Sequence, residues 1–597
     1  MPSGIDYNIN SLCSGVLLKT HATLGNDVVG GAERSEEVLR GTPEIKVKMK
    51  FYRIISLLVL MGLGIPAAGQ DIDAIIGAMT RREKIAQIII AEADTQDSPQ
   101  RRQAQKQWVA EGLGGLIVMD DPLGPCMAMV NDLQARAKIP MIVTIDGEWG
   151  ASMRFYEFAA FPKAMQMGAL PYEDLVYNAG YAIGDELKEL KIFVNFAPDT
   201  DINNNPKNPV IGIRSFGEDR EKVATYGSAF MRGMQQAGVA GAAKHFPGHG
   251  DTEVDSHKGL PVLSLGRDRL DSLELYPFKR LIEDGVEMVM IGHLSVPALD
   301  PSGTPASISK PIITGLLRQE LGFNGIIITD ALGMKGLSND YGDAAVAAYQ
   351  AGVDILLMPR DAGQAIDELD AMFESGQLDE AGLDGRVRKM LNLKKKYGLL
   401  APGYSPYVDP SEAIRSTLRP YTENLIQTIC DQSMTVIQGK ELLPIEKGRT
   451  AYISVRAGTK QSQAFFLETC FCNYPVDRFI LHGAFTADDL EALKGELKAY
   501  ENIIIVFHSG APIKRTGGPR LEAFCKPEQF KALASLAADH TLFGVWAGNP
   551  YKLAEFPEYK DFQCFIVSYS DTAFNNKAAV HALFKGTARG VLPVTIK

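Results

Sequence analysis

Two α/β domains in tandem, a (β/α)8 TIM-type barrel followed by a smaller α/β sandwich, are the architecture this sequence predicts, and three observations predict it. Short apolar runs alternate with helical stretches from residue 70 onward, the pattern of parallel strands joined by helices. Polar residues of several types stand just beyond five consecutive runs, which is where a barrel assembles its site. A stretch rich in proline, APGYSPYVDPSE at 401–412, then interrupts the alternation before it resumes.

The first segment reads KVKMKFYRIISLLVLMGLGIPAAGQ at 46–70, a basic cluster, an apolar run from Ile54 to Ile65, and small residues. That order has the layout of a secretory signal over 49–69, with cleavage before Gln70 and residues 1–48 a non-native upstream extension. The run is short of the roughly 20 apolar residues a bilayer span needs, so no membrane association is expected after cleavage. The expected location is export, periplasmic or secreted. No cysteine follows the run to carry a lipid anchor.

The barrel is expected over 70–400. Its strands are LGGLIVM (113–119), MIVTI (141–145), IFVNFA (192–197), VAGAA (239–243), EMVMIG (287–292), GIIIT (325–329) and VDILLM (353–358). Their nearly continuous apolar character suits strands buried on both faces. These are seven, so an eighth is weak or missing and the barrel reads as complete or one strand short. Residues 401–420 are expected to be a linker, and 421–597 a second domain. Its runs are AYISV (451–455), RFILHG (478–483), NIIIVFH (502–508), TLFGVWAG (541–548) and FQCFIVSY (562–569).

Of 597 residues, 46% are hydrophobic and 22% charged, values that exclude a disordered or coiled-coil chain. The formal charge of −11, with no long Lys/Arg run, argues against a nucleic-acid partner and favours a neutral or modestly charged small molecule. Seven cysteines with no CxxC pair make a cysteine zinc site or a dense disulfide framework improbable.

The polar residues at the strand ends are Asp146 and Glu148, Asp199 and Asp201, Lys244 and His245, His293, and Asp330. Four of the nine histidines fall between 245 and 293, most of them in AAKHFPGHGDTEVDSHKGLP (242–261). Pro247, Gly248 and Gly250 force an irregular loop, and Asp255-Ser256-His257 places a carboxylate two residues before an imidazole. Such a carboxylate accepts the Nδ1 proton and leaves Nε2 for acid and base work; a merely solvated polar loop is the plainer alternative. Asp330, ending a buried strand, can serve as nucleophile, base, metal ligand or sugar anchor, or simply cap a helix. His245, His249, Asp251, Asp255 and His257 supply enough ligands for a divalent ion, but their spacing matches no familiar metal signature, so no metal and no cofactor are expected.

The string KHFPGHG, followed by VDSH and then by ITDALGM at 328–334, resembles glycoside hydrolase family 3, specifically its β-N-acetylglucosaminidase branch. Similarity runs from about residue 73 to the C-terminus, including DQSMTVIQGKELLPI (431–445) and GTARGVLPVTI (586–596). The resemblance implies that Asp330 is the catalytic nucleophile, His257 the general acid/base and Asp255 its partner. It further implies that Asp146, Arg154, Arg214, Lys244 and His245 hold the hydroxyls of a terminal N-acetylglucosamine. His293, in IGHLSVPALD, would line the barrel mouth. One departure stands out: the branch usually reads Asp-Gln-Glu-Gly-Gly-Arg where this chain has Asp146-Gly147-Glu148-Trp149-Gly150-Ala151. Trp149 would either stack on a sugar or peptide at the entrance or pack beneath the loop.

These residues suit a retaining, exo-acting hydrolysis: Asp330 attacks the anomeric carbon while His257 protonates the leaving oxygen and then activates water. Lys244, Arg154 and Arg214 would keep Asp330 ionised. Chitooligosaccharides or muropeptides are the expected partners. An imidazole does not repel anions, so phosphate could replace water as acceptor. The rival readings are a β-glucosidase or β-xylosidase of the same family, a non-catalytic sugar-binding barrel, and a metal-dependent hydrolase.

Overall fold

The computed structural model describes residues 71–596 apart from 94–97, 120–121, 338–343, 418–419, 457–466, 468–469, 483–484 and 509–525. The expected signal segment, the extension before it and most of the loop HSGAPIKRTGGPR (508–520) lie outside the described residues. No described helix is long and apolar enough to cross a membrane.

The first domain is an eight-stranded parallel barrel. Its strands are β1 (Ile89–Ala93), β2 (Gly115–Val118), β3 (Ile142–Ile145), β4 (Val194–Asn195), β5 (Ala240–Phe246), β6 (Met288–Ile291), β7 (Ile326–Thr329) and β8 (Leu356–Leu357). They pair in chain order, with β8 returning to β1 through Ile89 opposite Leu356. Between β7 and β8 the ladder has one bridge, Ile328 to Ile355, extended past β7 by Leu332 N–H to the Leu357 carbonyl at 2.9 Å and Gly333 N–H to the Met358 carbonyl at 3.1 Å. Asp354 reinforces that seam: its carboxylate accepts Ile327 N–H at 2.8 Å and Arg318 Nη2 at 2.6 Å, and pairs with Lys389 Nζ at 2.9 Å.

The count of seven strands is thereby corrected to eight. The missing one, β1, follows the helix Arg81–Gln87 after a single residue, and no glycine or proline marks the change. The helix start is clear, since Thr80 and Glu83 form a reciprocal capping box. Side chains alternate across the wall: Ile90, Ile117, Ile142, Ala242, Met290 and Ile328 fill the barrel, while Ile89, Leu116 and Val143 pack outward beneath the helices.

Residues 401–420, expected to be a linker, include a helix over Pro410–Thr417. The second domain holds β9 (Thr435–Gln438), β10 (Thr450–Arg456), β11 (Val476–His482), β12 (Asn502–His508), β13 (Thr541–Ala547) and β14 (Cys564–Val567). The sheet order is β11-β10-β12-β13-β14-β9, parallel except for β9 at one edge.

The carboxyl edges of both sheets face one another. Tyr551, just past β13, donates its hydroxyl to the Asn203 carbonyl beyond β4 at 2.6 Å, and Asn575 Nδ2 donates to Gln166 Oε1 at 3.0 Å. Met165 and Ala169 of the barrel join the apolar core of the second sheet. Cys430, Cys470 and Cys564 are free thiols.

Candidate active site

Strands β3 to β7 each deliver their first polar residues to the same end of the barrel. Asp146 follows β3, and its carboxylate takes Lys244 Nζ and Arg154 Nη2, each at 2.9 Å. Glu148 accepts Arg214 Nη2 at 2.7 Å and Lys244 Nζ at 2.8 Å. Arg214 also stands 3.5 Å from Asp199 and 3.4 Å from His245 Nε2. His245 Nδ1 lies 2.8 Å from Asp201, whose other oxygen accepts the His249 backbone N–H at 2.6 Å. Five of the sequence-predicted residues, Asp146, Arg154, Arg214, Lys244 and His245, thus belong to one connected lattice of charge.

Sequence reasoning left Glu148, Asp199 and Asp201 out of the binding set, although their positions past β3 and β4 were the available signal. Burial alone would raise the Glu148 pKa, but Arg214 and Lys244 hold it well below the usual carboxylate range. Asp199 moves the other way, because burial and the negative charge of Asp201 outweigh Arg214. Burial opposes the charge of Lys244 and of Arg214, yet their acidic partners raise both pKa values.

Asp330 sits at the end of β7, tied by its own N–H to the Ile291 carbonyl at 2.9 Å. Its carboxylate accepts the Ala331 N–H at 2.8 Å. Turns, not a helix, follow through Leu337, so the helix-cap alternative is set aside. Desolvation by the barrel end pushes the carboxyl pKa up, but His293, His245, the Ala331 N–H and His257 together bring it down to about 2. The expectation that Lys244, Arg154 and Arg214 keep Asp330 ionised is corrected here: those cations spend their charge on Asp146, Glu148 and Asp199, and imidazoles lead around Asp330.

His293 is fully buried, with Nδ1 at 2.7 Å from the Ser307 hydroxyl and Nε2 at 2.9 Å from the Ala331 carbonyl. Nε2 must donate to that carbonyl, so Nδ1 accepts from Ser307. Burial lowers its pKa, and the negative charge of Asp330 opposes that shift. It positions the Asp330–Ala331 turn with both ring nitrogens engaged.

Asp255 and His257 lie on the loop after β5. Asp255 Oδ1 accepts both the backbone N–H of His257 and its Nδ1–H, each at 2.9 Å. The His257 side chain is 61% exposed and Asp255 21%. Burial would raise the Asp255 pKa, but the bonds from His257 lower it.

Trp149 does not stand at the entrance. It is 6% exposed, beneath the β3 loop, with Lys163 Nζ 4.5 Å from its ring centre. Glu186, on the helix Asp174–Glu189, accepts the Ala151 N–H of this loop at 2.7 Å. Burial pushes its pKa up to about 8. The signal for it was a lone carboxylate on the face carrying Ile183 and Leu187.

Among the described residues, one group brings acidic and imidazole ligand atoms within 4.8 Å of one another: Asp199, Asp201 and His245. The Arg214 guanidinium already stands against it. Of the five residues grouped as metal ligands from the sequence, only His245 takes part, and Asp251 instead faces Arg269 at 3.7 Å.

Barrel, facing sheet and polar mouth together define a two-domain (β/α)8 protein with a charged site at the carboxyl ends of its strands. Residues 80–393 match the Glycosyl hydrolase family 3 N terminal domain. The chain belongs to glycosyl hydrolase family 3. It is 38% identical over 290 residues to Beta-hexosaminidase A of Pseudoalteromonas piscicida, an alignment spanning 44% of this chain and about half (48%) of that protein. It is 32% identical to Beta-hexosaminidase of Idiomarina loihiensis, over 51% of this chain and 93% of that one. The solved structure of a glycoside hydrolase family 3 β-N-acetylglucosaminidase from Paenibacillus sp. str. FPU-7 superimposes with a TM-score of 0.70 at 30% identity, covering 87% of this chain and 99% of that chain.

Proposed function

We propose that this protein is a retaining, exo-acting β-N-acetylglucosaminidase that removes terminal non-reducing β-linked N-acetylglucosamine from chitooligosaccharides or peptidoglycan fragments. The observation that carries the reading is the pairing of an ionised carboxylate at a strand end, Asp330, with an imidazole whose Nδ1 is fixed by Asp255. Similarity to proteins named β-hexosaminidase supports the substrate class.

Hydrolysis of an acetal needs one group to stabilise the oxocarbenium-like carbon and another to protonate the leaving oxygen. Asp330 attacks the anomeric carbon, the glycosidic bond breaks, and the leaving oxygen takes a proton from His257 Nε2. His257 then removes a proton from water as that water displaces Asp330, restoring the β configuration. Asp146, Arg154, Arg214, Lys244 and His245 hold the hydroxyls of the sugar. The segment 49–69 would direct export, placing the enzyme where either substrate is met.

Release of p-nitrophenol from the β-N-acetylglucosaminide and the β-glucoside by the chain from Gln70 tests the reading. Turnover of the first alone is expected. Preference for the glucoside would move the assignment to a β-glucosidase, and turnover of neither to a sugar-binding barrel. Sugar 1-phosphate formed in phosphate buffer would make phosphate the acceptor.

A further inference from the structure

A cavity of about 50 Å³ lies between the two domains, lined from the barrel by Trp149, Lys163 and Gln166 and from the second domain by Ser570, Thr572 and Asn575. Its polar groups divide unevenly. Gln166, Thr572 and Asn575 satisfy one another: Asn575 Nδ2 donates to Gln166 Oε1 at 3.0 Å, and Thr572 Oγ1 donates to Asn575 Oδ1 at 2.7 Å. Gln166 Nε2 in turn donates to Ser433 Oγ at 3.0 Å.

What remains is a surplus of donors. Trp149 Nε1 is buried with no hydrogen-bond partner. Lys163 Nζ rests over the Trp149 ring at 4.5 Å, and among the described residues it has no hydrogen-bond or ion-pair partner. Glu148, whose charge favours the Lys163 ammonium, is already engaged by Arg214 and Lys244. A buried donor left without an acceptor costs about 1–3 kcal/mol, so the Trp149 N–H is complete only with an acceptor in place, and the half-buried Lys163 ammonium beside it supplies the positive charge.

We propose that this cavity binds a small anion, a halide or a carboxylate of acetate size, held by the Lys163 ammonium and the Trp149 indole N–H. One water needs roughly 10–15 Å³ of such space, so the cavity has room for about three or four heavy atoms and excludes a saccharide. The site is separate from the sugar-binding residues and independent of the proposed hydrolysis. Because its walls come from both domains, the anion also ties them together, and binding only the assembled state raises thermal stability.

The test uses the chain from Gln70 at constant ionic strength, with sodium gluconate replaced stepwise by sodium chloride or by sodium acetate. Tryptophan fluorescence and the unfolding midpoint are read together. A saturable fluorescence change with a rise in the midpoint is expected for at least one of the two ions, and which ion gives it separates halide from carboxylate. Both responses should vanish in Lys163→Met. The fluorescence response should vanish in Trp149→Phe, which removes the reporter. No saturable response in the wild-type chain overturns the proposal, whether or not Lys163→Met folds. So does an unchanged response in Lys163→Met, or a fluorescence change that survives Trp149→Phe and so reports on Trp108 or Trp546.

Discussion

One oxygen of Asp255 accepts both the backbone N–H and the ring Nδ1–H of His257, at 2.9 Å each, so the imidazole is fixed in orientation and tautomer although its side chain is 61% exposed. The loop therefore supplies its own preorganisation. Removing the carboxylate should leave the ring present but unoriented. Asp255→Ala is expected to lower kcat/KM roughly 10- to 100-fold on a chitooligosaccharide, less than the roughly 10²- to 10⁴-fold loss expected of His257→Ala. With a p-nitrophenyl leaving group, which needs little protonation, both losses should shrink. Steady-state kinetics on the two substrates check this, and equal losses on both would contradict the acid role.

Asp330 offers a stereochemical test. Its carboxyl pKa, held down to about 2, leaves the group ionised at neutral pH, as the proposed nucleophile requires. Asp330→Ala should lose at least about 10³-fold in kcat, as expected for removal of a covalent catalyst. Azide in the vacated space should restore part of the rate and give the α-glycosyl azide. Analysis of the product by NMR checks the anomer; a β-azide would show that Asp330 does not occupy the α face.

Lys244 bridges Asp146 and Glu148 while its own side chain is 3% exposed. Lys244→Met leaves two acidic groups short of a counter-charge, and breaking such a buried pair costs roughly 3–5 kcal/mol. Chemical denaturation should show a loss of that size. The double variant carrying Glu148→Gln as well should recover part of it, because fewer charges are stranded.

Glu186 gives the chain a pH-dependent stability of definite sign. Its pKa of about 8 lies above the ordinary value of 4.5, so the folded chain holds a proton that the unfolded chain gives up. The resulting stabilisation is complete below about pH 4.5 and is lost as pH rises through about 8. Between pH 6 and pH 9 the unfolding free energy should fall by a few kcal/mol more in the wild-type chain than in Glu186→Gln. Parallel slopes would show that Glu186 is not the group responsible.

Much of the site was legible because a barrel strand advertises its chemistry at its last residue. Lys244, His245, His293 and Asp330 all stand within or directly after apolar runs. What could not be read is who pairs with whom. The Glu148–Arg214 and Asp146–Lys244 contacts span 66 and 98 residues, and only the closed barrel brings them together. That is why the counter-charge for Asp330 was assigned to cations already committed elsewhere. Trp149 was ambiguous because an aromatic ring after a strand suits either a sugar or the underside of a loop. In the fold, β1 and β9 escaped notice for one reason: each begins within two residues of a helix end, Gln87 and Ser433, with no turn residue between.

The clasp at Asp354 has a mechanical consequence for the site. The β7–β8 seam has one strand-like bridge, so charge at its foot contributes to closure alongside the backbone. Above it, toward the rim, backbone bonds carry the joint: Leu332 N–H donates to the Leu357 carbonyl at 2.9 Å and Gly333 N–H to that of Met358 at 3.1 Å, just past Asp330. The turn that carries Asp330 is therefore laced to the neighbouring strand immediately beyond it, so the place of that carboxylate is set by the wall of the barrel and not by a free loop.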